Sequence, residues 1–315
     1  MDRAFLIGLD IGATDVKVAL WDLEANALSH FFKMPSQACQ GPEACLLAAG
    51  EACEQATRQM GLPLSSVLAI GVGIFGPVDR PNGVLEQTPL FPQWRRVAVT
   101  ASLSERLGVP VHLENDANLA VYGEWWQGAA KGCPITVGLT LGTGIGGGIV
   151  IDGEIIQGAT GYAGELGHIS VAADGPLCPC GNTGCLGRMA SATALVRRYR
   201  ERLQEAEAPY STAREIAEAA RQGDALCAAV VTDVAEDLAR AILVLVDCLN
   251  PHCVVLCGGM SQMGEQLLQP IRAWIAAKSF ENALRSLRIV PGAFTVWSGA
   301  VGAAGWAMRC DTRHR

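Results

Sequence analysis

Three cysteines and one histidine are spaced in a way that suits a zinc ion. The segment reads Cys178-Pro-Cys180-Gly-Asn-Thr-Gly-Cys185, and His168 lies ten residues before the first cysteine. Three thiolates and one imidazole complete a tetrahedral site, and a site closed by four protein ligands is structural rather than catalytic. Unpaired thiols in a glycine-rich loop would have little apolar surface to pack against, so we predict a structural zinc site here.

Glu165 lies three residues before His168, so a zinc ligand at His168 would also fix this carboxylate. A carboxylate held in this way is a natural acceptor for vicinal hydroxyl groups of a sugar. A zinc-bound histidine usually directs its second ring nitrogen to another partner, and here that partner could be the same sugar. The alternative is a solvated loop carboxylate, which is the usual state of a charged side chain.

A second acidic residue that could do chemistry is Asp116. The apolar stretch 110–113 is followed by Glu114, Asn115 and Asp116 in that order. A carboxylate in a cleft can take the proton from a sugar hydroxyl as that oxygen attacks a γ-phosphate, while Asn115 can hydrogen-bond the sugar. The alternative is that these residues cap the helix that begins near Ala117. The local pattern favours neither interpretation over the other.

Two turns rich in small residues could hold phosphate groups. The first combines Asp10, Gly12 and Thr14, which offer a carboxylate, free backbone N–H groups and a hydroxyl to a phosphate with its magnesium ion. A simple hairpin tip would use glycine in the same way. The second turn, residues 142–148, contains five glycines and one threonine, and so favours phosphate binding more strongly.

The elements that must position these residues alternate between strands and helices. Apolar and β-branched stretches predict strands at 5–9, 16–20, 67–75, 110–113, 134–141, 149–156 and 253–257. Helical periodicity covers 42–60, 190–205 and 212–249. The strand-turn-strand unit of the second half repeats that of the first, which indicates two related α/β domains facing each other across a nucleotide. Open α/β sheets bind ligands at the edge where such strand ends converge.

Composition narrows the class of protein. The chain has 315 residues, half of them hydrophobic, which favours two domains with a cleft between them. The net charge of -7 disfavours a nucleic-acid partner, which would require clustered Lys and Arg. The first apolar stretch is too short for a signal peptide or a membrane span, so we expect a cytoplasmic protein without a membrane partner. In that reducing compartment clustered cysteines more often bind metal than form disulfides.

Taken in order, these segments resemble the ROK family (repressors, open reading frames, kinases), whose kinases include glucokinase, fructokinase, allose kinase and N-acetylhexosamine kinases. The resemblance covers nearly the whole chain, and as a set its motifs are highly specific. They are LDIGATDVKVAL at 9–20, IGVGIFGPVD at 70–79, ENDANLAVYGEW at 114–125, TLGTGIGGGIVIDGEIIQGATGYAGELGHI at 140–169, CPCGNTGCL at 178–186 and NPHCVVLCGG at 250–259.

The resemblance implies an ATP-dependent sugar kinase of two actin-like domains that forms a homodimer or homotetramer. The implied domains are 1–118 and 119–298, with a last helix in 299–315 that packs back on the first. Asp116 would be the catalytic base that activates a hexose hydroxyl, most naturally that on C6. The implied ligand sets are Asn115, Glu165, His168 and Gly76 for the sugar; Asp10, Gly12, Thr14, Gly142, Thr143, Gly144, Gly258 and Gly259 for ATP with magnesium; and His168, Cys178, Cys180 and Cys185 for structural zinc.

Three departures from the family pattern lie near the expected sugar pocket. Family kinases usually place a glutamate two residues after the last zinc cysteine, where this chain has Gly187. Ile74-Phe75 replaces smaller or turn-forming residues, and Leu90 stands where the family has an asparagine. The missing carboxylate would weaken sugar binding by about ten- to hundredfold. A catalytically impaired sugar- or nucleotide-binding protein is therefore the second hypothesis.

Two other members of the wider class fit the sequence less well. The family's repressors carry a DNA-binding helix-turn-helix before the first hairpin, and only nine residues precede Asp10 here, so we expect a kinase. An acyl-phosphate kinase or another actin-like ATPase would need no zinc loop. Bound zinc would therefore discriminate against that third hypothesis.

Overall fold

The computed structural model describes residues 4–88, 91–203 and 208–312. Its contacts divide the chain into two compact units. Unit 1 contains the chain up to Gln127, the segment Gln157–Ala163 and the chain from Trp297 onwards. Unit 2 contains Gly128–Ile156 and Gly164–Val296. Leu90 lies outside the described residues.

The strands and helices follow one another in a mixed α/β order. The strands are β1 Phe5–Ile11, β2 Asp15–Asp22, β3 Ala27–Pro35, β4 Val67–Ile74, β5 Val78–Asp79, β6 Val84–Leu85, β7 Val97–Ala98, β8 Val111–Asn115, β9 Ile135–Leu141, β10 Ile145–Ile151, β11 Glu154–Ile155, β12 Cys253–Cys257 and β13 Arg288–Pro291. The α-helices are α1 Pro42–Gln59, α2 Val99–Leu107, α3 Asp116–Trp126, α4 Leu186–Ala190, α5 Ala192–Leu203, α6 Ala213–Arg221, α7 Ala225–Leu249, α8 Glu265–Lys278, α9 Glu281–Leu284 and α10 Ser298–Thr312.

The two units contain sheets with the same strand pattern. In unit 1 the order is β3-β2-β1-β4-β8, and in unit 2 it is β11-β10-β9-β12-β13. In both sheets the first three strands are antiparallel neighbours, and the last two join in parallel. Each unit also has its own buried apolar cluster. The similarity between the two strand-turn-strand units therefore extends to the whole sheets that contain them.

Glycines allow α10 to pack closely against the sheet of unit 1. A Cβ atom on Gly8 would lie 1.8 Å from the carbonyl oxygen of Ala300, and one on Gly71 would lie 1.8 Å from that of Ala303. Backbone atoms cannot yield to such contacts as a flexible side chain can, so both strand positions require glycine. The boundary expected at residue 118 falls inside α3, which also packs against α10 and stays whole within unit 1.

The second glycine-rich turn is shorter than the sequence predicts. The turn comprises only residues 142–144, because β10 already begins at Ile145 and includes Gly146, Gly147 and Gly148. A Cβ atom on Gly147 would lie 2.7 Å from the side chain of Leu166. Gly147 thus makes room for Leu166 on the sheet, and the prediction of a turn over 142–148 was wrong for its second half.

Two further predictions of element limits needed correction. Asp10 and Ile11 belong to β1, so the first turn comprises only residues 12–14. The helical stretch predicted over 212–249 is interrupted, because Gly223 has a positive φ of 99° and Asp224 caps α7 with its side chain. Among the helices that the structure describes, none combines the length and the apolar character that crossing a membrane requires.

Candidate active site and metal centre

The predicted zinc ligands lie together in unit 2. One ligand atom from each of His168, Cys178, Cys180 and Cys185 can be chosen so that all four lie within 4.8 Å of one another. Cys178 Sγ lies 3.6 Å from His168 Nδ1, and Cys180 Sγ lies 3.6 Å from Cys185 Sγ. Tetrahedral zinc with Zn–S bonds of about 2.3 Å separates two sulfur ligands by about 3.8 Å. The donor set and its spacing therefore fit zinc.

Backbone hydrogen bonds shape the loop that holds these cysteines. Cys178 N donates to Asn182 O at 2.8 Å, and Gly181 N donates to Cys178 O at 2.9 Å. A backbone hydrogen bond at Asn182 lowers the pKa of the Cys180 thiol to about 7, whereas burial raises the pKa of Cys185 to about 12. The two neighbouring thiols therefore differ in their pKa values, in opposite directions from the ordinary value of a cysteine.

His168 and Glu165 are carried by a short 3-10 turn, Leu166–His168. Gly167 fits this turn tightly against β10, because a Cβ atom there would lie 1.9 Å from Ile145 O. With Nδ1 near Cys178, the other ring nitrogen of His168, Nε2, lies 3.9 Å from Glu165 Oε2. Both side chains are about half exposed. The imidazole can therefore serve the metal cluster on one side and a ligand beside Glu165 on the other.

The turn between β8 and α3 carries Asn115 and Asp116. Asn115 caps α3, because its Oδ1 accepts from Ala117 N at 2.9 Å and from Asn118 N at 3.1 Å. Its Nδ2 donates to the carbonyl oxygen of Gly76 at 3.1 Å, so two predicted sugar-binding residues are in contact. Asp116 is the first residue of α3 and is partly exposed. Asn115 takes the capping role that the sequence left open, and Asp116 Oδ1 also accepts from Ala117 N at 2.8 Å.

Asp10 pairs with a lysine that sequence reasoning missed. Lys17 Nζ lies 2.8 Å from Asp10 Oδ2, and the two residues are direct partners in the β1–β2 register. Burial lowers the pKa of Lys17, but the carboxylates of Asp10, Asp15 and Asp116 outweigh this effect and raise the pKa overall. Lys17 therefore links Asp10, at the end of β1 beside the first turn, electrostatically to Asp116. The sequence signal that could have identified Lys17 is its position opposite Asp10 across the predicted hairpin turn.

The first turn itself, residues 12–14, remains accessible at its tip. Gly12 N donates to Asp15 O at 2.9 Å, which closes the turn, and Thr14 is exposed. Ser36 N donates to Thr14 O at 2.9 Å, so the adjoining chain holds the turn in place. The turn thus presents the Thr14 side chain on a fixed backbone.

A cavity of about 630 Å³ in unit 2 brings together three of the predicted nucleotide-binding residues. Gly142, Thr143 and Gly259 line it, together with apolar side chains from α6 and the 3-10 turn Gly259–Met263 and with the charged side chains of Arg214, Glu218 and Arg221. Gly258 packs closely against Leu141, which also lines the cavity. A Cβ atom at Gly258 would lie 2.6 Å from Leu141 O, and its φ of 84° also favours glycine. The cavity is within the range of about 300–1,000 Å³ that small-molecule sites occupy.

The first turn of α5 holds the second glycine turn. Ala192 N donates to Gly142 O at 2.9 Å, and Thr193 Oγ1 donates to Thr143 O at 2.9 Å. These two carbonyl groups thus tie the backbone of the turn to α5, while Thr143 and Gly144 remain exposed. Sequence reasoning did not identify this support or the contribution of α6 to the cavity wall, because both depend on contacts between distant segments.

Gly187 lies in α4 next to the turn that carries His168. A Cβ atom at this position would lie 3.5 Å from Gly167 O and 3.6 Å from Ile145 N, which is ordinary van der Waals contact. The backbone there would accept a larger residue. The chain therefore lacks a carboxylate at a position whose surroundings leave room for the Cβ of one.

Comparison with known proteins places these features in a family. A family model described as the ROK family matches residues 6–310. A glucokinase of Thermotoga maritima is 35% identical, with 96% of this chain and 97% of the relative covered. A xylose repressor of Caldicellulosiruptor bescii is 27% identical, with 91% of this chain and 74% of the repressor covered. The crystal structure of a ROK family glucokinase from Streptomyces griseus in complex with glucose and AMPPNP has 31% identity and a TM-score of 0.83, covering 97% of this chain and all of that one.

Proposed function

The chain belongs to the ROK family, and on that premise we propose that it transfers the γ-phosphoryl group of ATP to a hexose hydroxyl, most readily that on C6. The ROK sugar kinases have two actin-like α/β domains, and this chain shares that fold. Its full-length relatives at 31–35% identity include glucokinases, so it is an ATP-dependent sugar kinase. Glucose is accordingly the first substrate to test.

The observation that carries the proposed mechanism is the position of Asp116. It begins α3, directly after the residue that caps the helix and contacts Gly76. In the reaction, the Asp116 carboxylate takes the proton of the sugar hydroxyl as the oxygen forms a bond to the γ-phosphorus. The bond from that phosphorus to the β,γ-bridging oxygen breaks, and ADP leaves. Asp116 lies at the positive end of the α3 dipole and interacts electrostatically with Lys17.

The nucleotide and sugar would be bound by the sets of residues that the sequence predicts. The cavity lined by Gly142, Thr143 and Gly259 suits the nucleoside and the start of its phosphate chain. Asp10, Gly12 and Thr14 would hold the phosphates and their magnesium ion, which neutralises charge on the transferring group. Asn115, Gly76, Glu165 and His168 would hold the sugar, and zinc on the Cys/His cluster would fix His168.

The test is coupled ADP release with magnesium-ATP and a panel of glucose, mannose, fructose, allose, N-acetylglucosamine and N-acetylmannosamine. We expect saturable turnover with at least one of these sugars. Asp116→Asn should lower kcat by at least about 100-fold, because loss of a general base typically costs about 10²–10⁴-fold in rate. Its circular dichroism spectrum should match that of the wild type. A variant as active as the wild type would contradict the assignment of the base.

Gly187 supports a second candidate function, that of an impaired kinase that binds sugar or nucleotide without efficient turnover. Its lack of a side chain removes the carboxylate that the family usually supplies to the sugar. If the zinc-loaded protein releases no ADP with any sugar of the panel but binds ATP measurably, this candidate is favoured. Turnover of any panel sugar would favour the kinase.

A further inference from the structure

Glu114 is a buried carboxylate that receives hydrogen bonds from four donors. Its side chain is 1% exposed. A carboxylate offers about four acceptor positions, so these donors use its full capacity. Burial raises the pKa of Glu114, although the hydrogen bonds and the neighbouring Arg80 oppose that change. The proposed chemistry does not use this group, and a buried carboxylate with no part in packing apolar surface calls for a reason.

One oxygen of Glu114 fixes the turn that carries the proposed base. Glu114 Oε1 accepts from Asn115 N at 2.8 Å and from Asn118 Nδ2 at 3.2 Å. These two donors lie on either side of Asp116 in the chain. The carboxylate therefore clamps the end of β8 to the first turn of α3, and Asp116 lies between the clamped points.

The other oxygen of Glu114 holds a segment that comes from much later in the chain. Glu114 Oε2 accepts from Gln157 Nε2 at 2.6 Å and from Arg80 Nη1 at 3.3 Å. Gln157 is the first residue of the segment Gln157–Ala163, which belongs to unit 1 although the chain before and after it belongs to unit 2. Glu165, a proposed sugar ligand, follows this segment after a single glycine.

We propose that Glu114 is a positioning residue that orients Asp116 through one oxygen and holds the Gln157–Ala163 segment through the other. The inference rests on the proposed kinase function. Its consequence is that the two oxygens serve different steps: loss of the Oε1 contacts impairs the base, and loss of the Oε2 contact with Gln157 impairs sugar capture.

The competing explanation is a buried ion pair between Glu114 and Arg80 that serves stability alone. Arg80 is 34% exposed at its side chain and lies 5.0 Å from the centre of the Trp306 ring, so it has its own packing role. The other three donors are neutral amide groups. If stability were the whole role, removing any one amide would lower the apparent kcat in proportion to the fraction of protein that unfolds and would leave KM unchanged.

Two variants that each remove one hydrogen bond from Glu114 distinguish these explanations. Gln157→Met should raise the KM for glucose by about tenfold with kcat nearly unchanged, because one hydrogen bond to a charged group corresponds to roughly that factor. Asn118→Leu should lower kcat by about tenfold with a smaller change in KM. The matched control is Gln59→Met, which removes an exposed glutamine that contacts His30 and should leave both constants unchanged.

Exchange of the paired groups provides a rescue. Glu114→Gln alone must place its NH2 group against one of the two pairs of donors, because each Glu114 oxygen accepts from two. Glu114→Gln with Gln157→Glu allows that NH2 group to donate to the new carboxylate across the 2.6 Å contact. We expect Glu114→Gln to raise the KM for glucose. The double variant should return this KM most of the way to the wild-type value. With kcat expressed per folded enzyme, a rise in KM confined to Gln157→Met and a fall in kcat confined to Asn118→Leu, together with the rescue, support the inference. Unchanged KM and unchanged kcat per folded enzyme in both single variants, or no rescue, overturn it. A wild type that turns over no panel sugar overturns the proposed function itself.

Discussion

At the scale of single residues, Asn115 combines a structural contact with a group available to a ligand. Its Oδ1 accepts the two helix N–H groups, and its amide carries two N–H groups, one of which donates to Gly76 O. Capping α3 and binding a sugar are therefore compatible roles. The two interpretations that the sequence left equal do not exclude each other, because they use different atoms of one side chain.

Replacing Asn115 by Ser should separate these roles. Serine is a good N-cap, so Asn115→Ser should lose only about 1 kcal/mol of unfolding free energy, chiefly from the missing bond to Gly76. The KM for glucose should rise by about tenfold, because the amide N–H is gone. Urea unfolding and steady-state kinetics measure the two effects. Asp224→Ser at the N-cap of α7 is the matched control, and an equal rise of KM in that variant would contradict the role of Asn115.

Gly187 offers a gain-of-function test at the same scale. Gly187→Glu adds the carboxylate that family kinases usually have, at a position where a Cβ atom meets no contact closer than 3.5 Å. The KM for glucose should fall by about ten- to hundredfold, as expected for a regained hydrogen bond to a charged group. Gly187→Gln controls for bulk without charge and should give a smaller gain. An unchanged KM in Gly187→Glu would mean that this position does not limit sugar binding.

At the scale of elements, local signals predicted what depends on neighbouring residues. The strand Cys253–Cys257 has the limits that its apolar run predicts, and α1 ends within a residue of its predicted limit. The spacing of the zinc loop likewise placed four ligands that the fold brings together. The glycines at 146–148 misled the prediction because glycine occurs both in turns and where two segments approach closely. At Gly147 the packing of Leu166 shows that close approach is the reason. The contacts of Glu114 with Arg80 and Gln157 could not be predicted from local sequence patterns, because these residues are 34 and 43 positions away from Glu114 in the chain.

The close approach of α10 to the sheet of unit 1 makes its strand glycines sensitive to substitution. Gly71→Ala would place a Cβ atom 1.8 Å from Ala303 O, so α10 must shift. We expect a loss of at least about 2 kcal/mol in unfolding free energy, within the range typical of overpacking. Gly108→Asn is the control, because its surroundings are open and asparagine tolerates its φ of 65°. Urea unfolding that shows equal stability for both variants would contradict this account of the packing.

At the scale of the whole molecule, the repeated strand order gives each unit a complete core of its own. The buried cluster of unit 1 and that of unit 2 have no residue in common among the described residues. The Cys/His cluster belongs to unit 2 alone, and Leu186, which follows Cys185, is fully buried in the core of that unit. Loss of zinc should therefore act first on unit 2, because the metal ties the loop to that core.

Calorimetry of the zinc-loaded and chelator-treated protein tests this expectation. The loaded protein should contain one zinc per chain, and chelation should lower the melting temperature of one transition while a second, from unit 1, stays in place. Cys180→Ser should reproduce the effect without chelator, whereas Cys248→Ser, another exposed cysteine of unit 2, should not. A single transition that moves as a whole would show that the two cores unfold together. Equal melting with and without chelator, in protein shown to lose its zinc, would instead mean that the metal does not stabilise unit 2.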